Sequence, residues 1–210
     1  MNHVPSHIVA DNAKPLSRRA LAKIRTRQSL IVAAKALFIE RGYDDATVRD
    51  IARATDLSTG AVFANFADKA DLFAAVLAED GARLAAAMEE AARSASSTAE
   101  ALLAVLVRGY AFHLPQLPLL QSVRSAAWRD GAFRAEPGAD SARKLIGERL
   151  RQAAAAGEFA AGFDADLTAS MLCDAYAGNY RLAAFEGWTL DALTARTESQ
   201  IAMLLAAGRK

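Results

Sequence analysis

The polar residues of this sequence that are best placed for chemistry stand at the starts of predicted helices. Thr47, Ser58 and Asp68 each occupy a position where a helix can begin, because their side chains can accept hydrogen bonds from free backbone amides. Thr47 and the start of its helix can also donate hydrogen bonds to a phosphate, and Arg49 adds a nearby cation. Such residues bind a polyanion and do not convert a substrate.

Residue patterns typical of catalysis or metal binding are missing from the sequence. The single cysteine, Cys173, excludes an internal disulfide and a cysteine-based zinc site, and the three histidines, His3, His7 and His113, suggest no metal-ligand cluster. We find no nucleophile–base pair, no phosphate-binding loop and no metal-ligand cluster. The sequence therefore predicts a protein that is not an enzyme and that needs no metal or cofactor.

Charge is distributed unevenly along the 210 residues. Residues 1–70 contain eleven Lys or Arg against seven Asp or Glu, whereas residues 71–210 contain fourteen against seventeen. This asymmetry favours a polyanion partner for the first third of the chain. The N-terminus has no apolar targeting segment, and the longest apolar run, Ala101–Val107, is far too short for a membrane span. We therefore expect a cytoplasmic protein without membrane contact.

The composition predicts an almost entirely helical chain. It is rich in alanine, the strongest helix former, and contains only 5 Pro and 12 Gly. Apolar spacing places a first helix over about residues 25–41, ended by Gly42 in a left-handed C-cap. Thr47 and Asp50 have the spacing of a capping box, which predicts a short second helix.

A third, short helix is predicted over residues 59–66, with Val62 and Phe66 on its buried face. A turn at residues 55–57 joins it to the second helix, and two short capped helices joined in this way are the helix-turn-helix arrangement. A helix of this size fits the major groove of DNA. The positions opposite the buried face would then point to bases: Thr59, Gly60, Phe63 and Ala64.

The segment Arg27–Phe73 resembles the DNA-binding domain of the tetracycline-repressor (TetR) family. The matching pieces are Ala33-Ala34, Leu37-Phe38, Gly42-Tyr43, Thr47 through Ala52, Ser58-x-Gly60, Phe63-x-x-Phe66, Lys69 and Leu72-Phe73. The resemblance implies an all-α protein, with an N-terminal three-helix helix-turn-helix domain and a larger helical domain for ligand binding and dimerisation. It also implies that Lys69 contacts a backbone phosphate.

Two positions depart from the family pattern. Phe63 stands where the family usually has a tyrosine whose hydroxyl reaches a phosphate, so a contact here would be apolar, to a sugar or a thymine methyl. Asp56 stands in the turn where glycine is common, and aspartate tolerates a left-handed backbone fairly well. The predicted recognition helix has no Arg or Lys, which makes the shape of the DNA relatively important for recognition.

The expected DNA-contacting residues lie on the second and third helices and just after them: Thr47, Arg49, Ser58, Thr59, Gly60, Phe63, Ala64, Asn65 and Lys69. Asn65 could read a base or hold a phosphate. The competing interpretation of the whole block is a three-helix scaffold that never meets DNA.

We expect three units along the chain. Residues 1–21 form a flexible basic arm with Lys14, Arg18 and Arg19, which is either a DNA contact or a solvated tail. As a DNA contact, these cations could follow the backbone or enter the minor groove, together with Arg25 and Arg27. Residues 22–70 form the DNA-binding domain, and residues 71–210 form the helical effector-binding and dimerisation domain.

The second domain carries polar-tipped and aromatic residues on otherwise apolar helices. An effector pocket is predicted among Tyr110, His113, Arg124, Trp128, Cys173 and Tyr176. The alternative for each is an ordinary core residue with satisfied hydrogen bonds, and Cys173 in particular has the character of a small buried hydrophobe.

The last two helices are predicted to form a dimer interface through Tyr180, Phe185, Leu193, Thr197, Ile201 and Leu204. The alternative is that these residues pack within one chain. A two-fold dimer is what a helix-turn-helix protein needs to hold two DNA half-sites.

Together these features predict a homodimeric transcriptional repressor that a small-molecule effector releases from a palindromic operator. The alternative is an architectural or chromosome-organising DNA-binding protein without an effector. That alternative predicts a filled second domain, and a pocket of about 300 Å³ or more would count against it.

Overall fold

The computed structural model describes residues 17–130 and 139–208, and in that part of the chain all regular structure is helical. The α-helices are α1 (Arg18–Asp45), α2 (Val48–Ala54), α3 (Thr59–Phe63), α4 (Lys69–Arg93), α5 (Thr98–His113), α6 (Leu117–Asp130), α7 (Ala139–Ala155), α8 (Ala165–Glu186) and α9 (Leu190–Ala206). A single 3-10 turn, Leu114–Gln116, joins α5 to α6. The predicted all-α fold is confirmed.

The three predicted helix caps are present. The amide of Asp50 donates to Thr47 Oγ1 at 3.2 Å, and the amide of Ala61 donates to Ser58 Oγ at 3.1 Å. At the start of α4, Asp68 accepts the amide three residues later at 2.8 Å. These bonds satisfy amides that have no partner within the helix, so the starts of α2, α3 and α4 follow from sequence alone.

Helix α1 differs from the prediction at its start and in the backbone conformation of Gly42, which interrupts the helix where expected. The helix begins at Arg18, where the Ser17 side chain caps it by accepting the amide of Ala20 at 3.2 Å. Arg18 and Arg19 therefore lie in the first turn of α1 and not in a flexible arm; Lys14 is outside the described residues. At the other end, Gly42 has φ 80° and ψ 170°. This is an extended backbone at positive φ that essentially only glycine adopts, and not the left-handed helical C-cap that we predicted.

The third helix is shorter than predicted, because it ends at Phe63 and not at residue 66. The side-chain amide of Asn65 donates to the Ala61 carbonyl at 2.9 Å. In a continuing α-helix that carbonyl would accept the backbone amide of Asn65, which here bonds to Val62 instead, at 2.9 Å. The side chain thus competes with the backbone and ends the helix.

The first three helices pack around a core that α4 and α6 complete. Phe38, Val62 and Phe66 are at most 2% exposed, and Phe38 meets Phe73 of α4 edge to face, with ring centroids 5.0 Å apart. Leu119 of α6 closes the same core. The first two turns of α4 therefore belong to this core as much as to the second domain, and residue 70 does not divide two separate cores.

An ion pair with a buried carboxylate also joins α1 to α4. Asp80 is 1% exposed, and its Oδ1 accepts from Lys35 of α1 at 2.7 Å and from Arg83 at 2.6 Å. Burial weakens the screening of such a pair by water. Removal of either charge should therefore disturb the packing of the two helices.

The second core lies among α4, α5, α7, α8 and α9. Tyr110 of α5 and Tyr180 of α8 are among its largest fully buried side chains, together with Met88 of α4. The apolar row of α9 packs inward on this core through Leu193 and Ile201. None of the described helices combines the length and the apolar character that crossing a membrane requires.

Candidate DNA-binding surface

The side of α2 and α3 that faces away from the core forms an exposed surface. Thr47, Arg49, Ser58, Thr59, Gly60, Phe63 and Ala64 are all exposed there. Phe63 is 54% exposed, whereas Val62 beside it is 2% exposed. The predicted buried and exposed faces of α3 are therefore confirmed.

The turn between α2 and α3 is held by a residue with a left-handed backbone. Asp56 has φ 54°, a left-handed backbone that aspartate tolerates fairly well. The amide of Leu57 donates to the Ala52 carbonyl at 2.9 Å, and the Thr55 hydroxyl donates to the Ile51 carbonyl at 3.0 Å. These bonds close α2 and set the angle at which α3 leaves it.

Thr47 holds a carboxylate at the start of α2. Its hydroxyl donates to Asp50 Oδ2 at 2.5 Å, and this bond is the main reason why the pKa of Asp50 is lowered, with smaller contributions from Arg41 and Arg53. The Thr47 hydroxyl is therefore directed at Asp50 and not at solvent. Arg53, exposed and 3.3 Å from Asp50, is a cation of this surface that the sequence prediction omitted.

Asn65 is partly buried and already bonded. Its side-chain amide is used by the Ala61 carbonyl, and its side-chain oxygen is buried without a partner among the described residues. In this arrangement Asn65 shapes the end of α3, a role that the sequence prediction of a base or phosphate contact did not foresee.

Arg27 supports α3 from α1. Its guanidinium donates to the Asn65 carbonyl at 2.6 Å and lies over the Phe66 ring, 4.0 Å from the centroid. The sequence indicated only that Arg27 could follow the DNA backbone. The two residues are 38 positions apart along the chain, so no local sequence pattern predicts their contact.

Lys69 has a role within the protein. Its ammonium donates to the carbonyls of Tyr43 at 2.8 Å, Asp44 at 3.2 Å and Ala46 at 3.2 Å, and it lies 4.3 Å from the centre of the Tyr43 ring. A lysine ammonium has three donors, and all three are used here. Lys69 therefore ties the start of α4 to the end of α1, and a phosphate contact would require these bonds to be released.

In the second domain, the structure brings most of the predicted pocket residues together, but as a packed network. Tyr180 shares hydrogen bonds with His113 Nδ1 at 2.9 Å and with Tyr176 Oη at 2.5 Å. Tyr110 shares one with Thr197 at 3.1 Å and accepts another from Asn179 at 3.0 Å. These side chains fill the interior where we predicted a pocket.

The chemistry of the buried groups agrees with a packed interior. Burial, followed by the nearby Arg124, lowers the pKa of His113 from 6.5 to about 4, so its ring is neutral at pH 7. Burial also raises the pKa of the Cys173 thiol, which keeps it protonated and weakly reactive. Cys173 is thus a buried hydrophobe. The side chain of Trp128 lies outside the described residues.

Space for a ligand lies at the edge of this network. A small cavity beside His113, lined also by Asp80 and Gln116, has a volume of about 10 Å³, enough for one water molecule. An open cleft of about 390 Å³ lies between α6 and α8, lined by Leu117, Leu120, Gln121, Arg124, Tyr180, Arg181, Ala184 and Phe185. Arg124 stacks over the Tyr180 ring at 5.0 Å and donates to the Ala177 carbonyl at 2.9 Å.

The predicted dimer residues are mostly inside the protomer, which makes that prediction wrong for four of the six. Tyr180, Leu193, Thr197 and Ile201 are at most 2% exposed. The apolar residues of α9 face α5 of the same chain, so their spacing reflects packing within one protomer. Leu204, on the same helix, is half-buried.

Only Phe185 of the predicted set is strongly exposed, at 77%. It shares the outer side of α8 with Leu167 and Met171, while Met203 is exposed on α9. Gly178 lies on the same side of α8, and a side chain there would meet nothing within 4 Å.

An exposed short helix, joined by a left-handed turn to a partner helix whose inner face is buried, is the helix-turn-helix arrangement. Residues 30–76 match the family model for bacterial regulatory proteins of the tetR family. These residues are thus a TetR-family N-terminal domain.

Similar proteins agree with this assignment. The chain is 43% identical over 67 residues to the HTH-type transcriptional repressor AcnR of Corynebacterium efficiens, a match that covers 32% of this chain and 36% of the relative. The match thus spans about a third of that curated relative's length.

Solved structures extend the likeness to the fold of the described chain. A TetR-family transcriptional regulator from Mesorhizobium loti has a TM-score of 0.75 and 23% identity, covering 93% of this chain and 100% of that one. The regulator FadR from Bacillus subtilis, solved in complex with stearoyl-CoA, has a TM-score of 0.69 and 18% identity, covering 84% of this chain and 96% of that one. The predicted larger helical second domain is therefore confirmed as a fold.

Proposed function

We propose that this protein is a homodimeric transcriptional repressor that binds a palindromic operator and is released from it by a small-molecule effector. The observation that carries the proposal is the exposed outer face of α2 and α3, built on capped helices and a left-handed turn at Asp56. Its likeness to curated repressors through the same segment supports it.

In this proposal α3 enters the major groove. Thr59, Gly60, Phe63 and Ala64 face the bases, and the Phe63 ring makes an apolar contact with a sugar or a thymine methyl. The start of α2 donates its backbone amides to a phosphate, and the exposed Arg49 contacts another.

Dimerisation is proposed through the outer side of α8. Leu167, Met171 and Phe185 are exposed apolar side chains at helical spacing, and Gly178 between them leaves room for close approach of a second helix. A glycine in an exposed helix interior destabilises the helix by about 1 kcal/mol relative to alanine. Close packing of a second copy against Gly178 would account for a glycine at this position. A two-fold axis there would present two recognition helices to two half-sites.

The effector site is proposed at the cleft between α6 and α8, which Arg124 and Tyr180 line with Leu117 and Leu120. Its apolar walls and guanidinium groups suit a ligand with an apolar body and an anionic end. The binding of stearoyl-CoA by the Bacillus subtilis FadR supports this chemical class. Because α6 contributes Leu119 to the core of the DNA-binding domain, an effector that moved α6 would bias the position of α3.

The proposal is tested by selecting binding sites from a random double-stranded DNA pool at near-physiological salt. An enriched inverted repeat is expected. In the variant Thr59→Ala the preferred bases should change, whereas Ser199→Ala, which also removes an exposed hydroxyl but from α9, should leave the motif intact. A protein that retains no DNA would refute the proposal.

The packed tyrosine network favours one other function, an architectural DNA-binding protein without an effector. In that case the selection would retain DNA without enriching a motif. The open cleft of about 390 Å³ argues against it, because it exceeds the roughly 300 Å³ that a ligand site needs.

A further inference from the structure

The first two turns of α1 project beyond the core. The first fully buried residue of α1 is Leu30, so twelve residues of the helix precede its first fully buried side chain. Residues 18–25 are exposed except for the half-buried Ala20. The Ser17 side chain caps this segment, which continues the helix that packs into the core from Leu30 onward.

This projecting segment is strongly basic. Residues 17–29 contain five Lys or Arg and no Asp or Glu. Arg18, Arg19, Lys23 and Arg25 are exposed, and within the described ranges no carboxylate lies at ion-pair distance from them. Like charges four residues apart, as in Arg19 and Lys23, destabilise an isolated helix, so the segment is suited to an anionic partner.

The contacts of Arg27 place this segment beside the recognition helix. Its guanidinium bonds to the Asn65 carbonyl just after α3, so the basic segment continues from the end of the DNA-facing surface. From Arg18 to Arg27 an α-helix extends by about 14 Å, since each residue adds about 1.5 Å. Phosphates on one DNA strand are spaced by about 3.4 Å along the axis, so this length passes about four of them.

We propose that residues 18–25 form a second DNA-contact surface, which lies along the phosphate backbone outside the groove that α3 occupies. Arg18, Arg19 and Lys23 hold phosphates that flank each operator half-site. The surface supplies affinity and salt dependence without reading bases, because phosphates carry no direct sequence information. This inference rests on the proposed function, since it needs an operator to flank.

The test compares two double variants on the operator found by selection. Arg19→Gln/Lys23→Gln removes two cations from the segment, and Arg108→Gln/Lys144→Gln removes two exposed cations from α5 and α7. Binding is measured by fluorescence anisotropy between 50 and 300 mM NaCl. Each lost phosphate contact changes the slope of log K against log salt by about 0.9, so the first variant, with up to four lost contacts per dimer, should have a slope shallower by about 2–4. The control should match the wild type.

Trimming the DNA provides an independent reading. Removal of the base pairs that flank the half-sites should make the wild-type slope shallower, and it should change the Arg19→Gln/Lys23→Gln slope by much less, because only Arg18 of the three proposed contacts remains in that variant. Equal slopes for the two double variants, or a change in preferred bases, would overturn the inference. If the wild type selects no operator, the proposed function itself fails.

Discussion

Replacement of Lys69 by methionine separates two roles for this residue. The variant Lys69→Met keeps the apolar stem and removes the ammonium that donates to the carbonyls of Tyr43, Asp44 and Ala46. A hydrogen bond from a charged group contributes about 1.5–3 kcal/mol, and the cation over the Tyr43 ring adds about 0.5–1 kcal/mol. Because the three bonds share one partly exposed ammonium, we expect a loss of about 2–3 kcal/mol in the free energy of unfolding.

The assay for Lys69→Met is urea denaturation, with Lys144→Met, an exposed lysine on α7, as the matched control. The midpoint should fall at unchanged m-value, since the fold is kept. A loss below about 0.5 kcal/mol, the usual range of surface substitutions, would refute the capping role.

The salt dependence of DNA binding by Lys69→Met then tests the role that the TetR resemblance implies. If the ammonium leaves its carbonyls to contact a phosphate, the slope becomes shallower by about 0.9 per protomer. If the slope is unchanged, Lys69 acts only within the protein.

Four further predictions follow from single positions. Gly109→Ala should destabilise the fold by about 2 kcal/mol in thermal unfolding, because the added Cβ would lie 1.9 Å from Tyr176 Oη; a wild-type melting curve would contradict the close packing. Asp56→Gly should raise the urea midpoint by the equivalent of about 0.5–1 kcal/mol, since glycine adopts φ 54° without strain; a lower midpoint would argue against it. Asp80→Asn should cost about 1–2 kcal/mol in urea denaturation, because Lys35 and Arg83 lose their carboxylate partner but keep contact with water; no loss would show that the ion pairs are dispensable. Burial lowers the pKa of His113 from 6.5 to about 4 in the folded protein, so at pH values between these two the unfolded chain binds a proton that the folded chain does not. The free energy of unfolding should therefore fall by up to about 3 kcal/mol as the pH drops from 6.5 to 4. The variant His113→Gln should lose this pH dependence.

Much of the helix-turn-helix domain could be predicted because its determinants are local. The hydroxyls or carboxylates of Thr47, Ser58 and Asp68 bond to amides three residues away, so sequence spacing alone located three helix starts. The left-handed turn at Asp56 depends on backbone sterics of one residue. The inner and outer faces of α3 follow from the helical period.

The length of α3 and the backbone at Gly42 were predicted less well. A positive φ at Gly42 could be expected from glycine, but its ψ of 170° depends on where the chain must go next, toward Ser122 of α6, whose hydroxyl accepts the amide of Tyr43 at 3.3 Å. The end of α3 depends on one side chain, Asn65, that could equally have pointed outward.

The sequence by itself determined the all-α class, the helix starts and the outer face of the recognition helix, because each follows from bonds or periods within a few residues. Only the tertiary structure decided the partners of Arg27 and Lys69 and the direction of the apolar row on α9. Periodicity shows that one side of a helix is apolar, but not whether a helix of the same chain or of a second copy covers it. The partners of long cationic side chains likewise depend on which backbone carbonyls the packing of helices brings within reach.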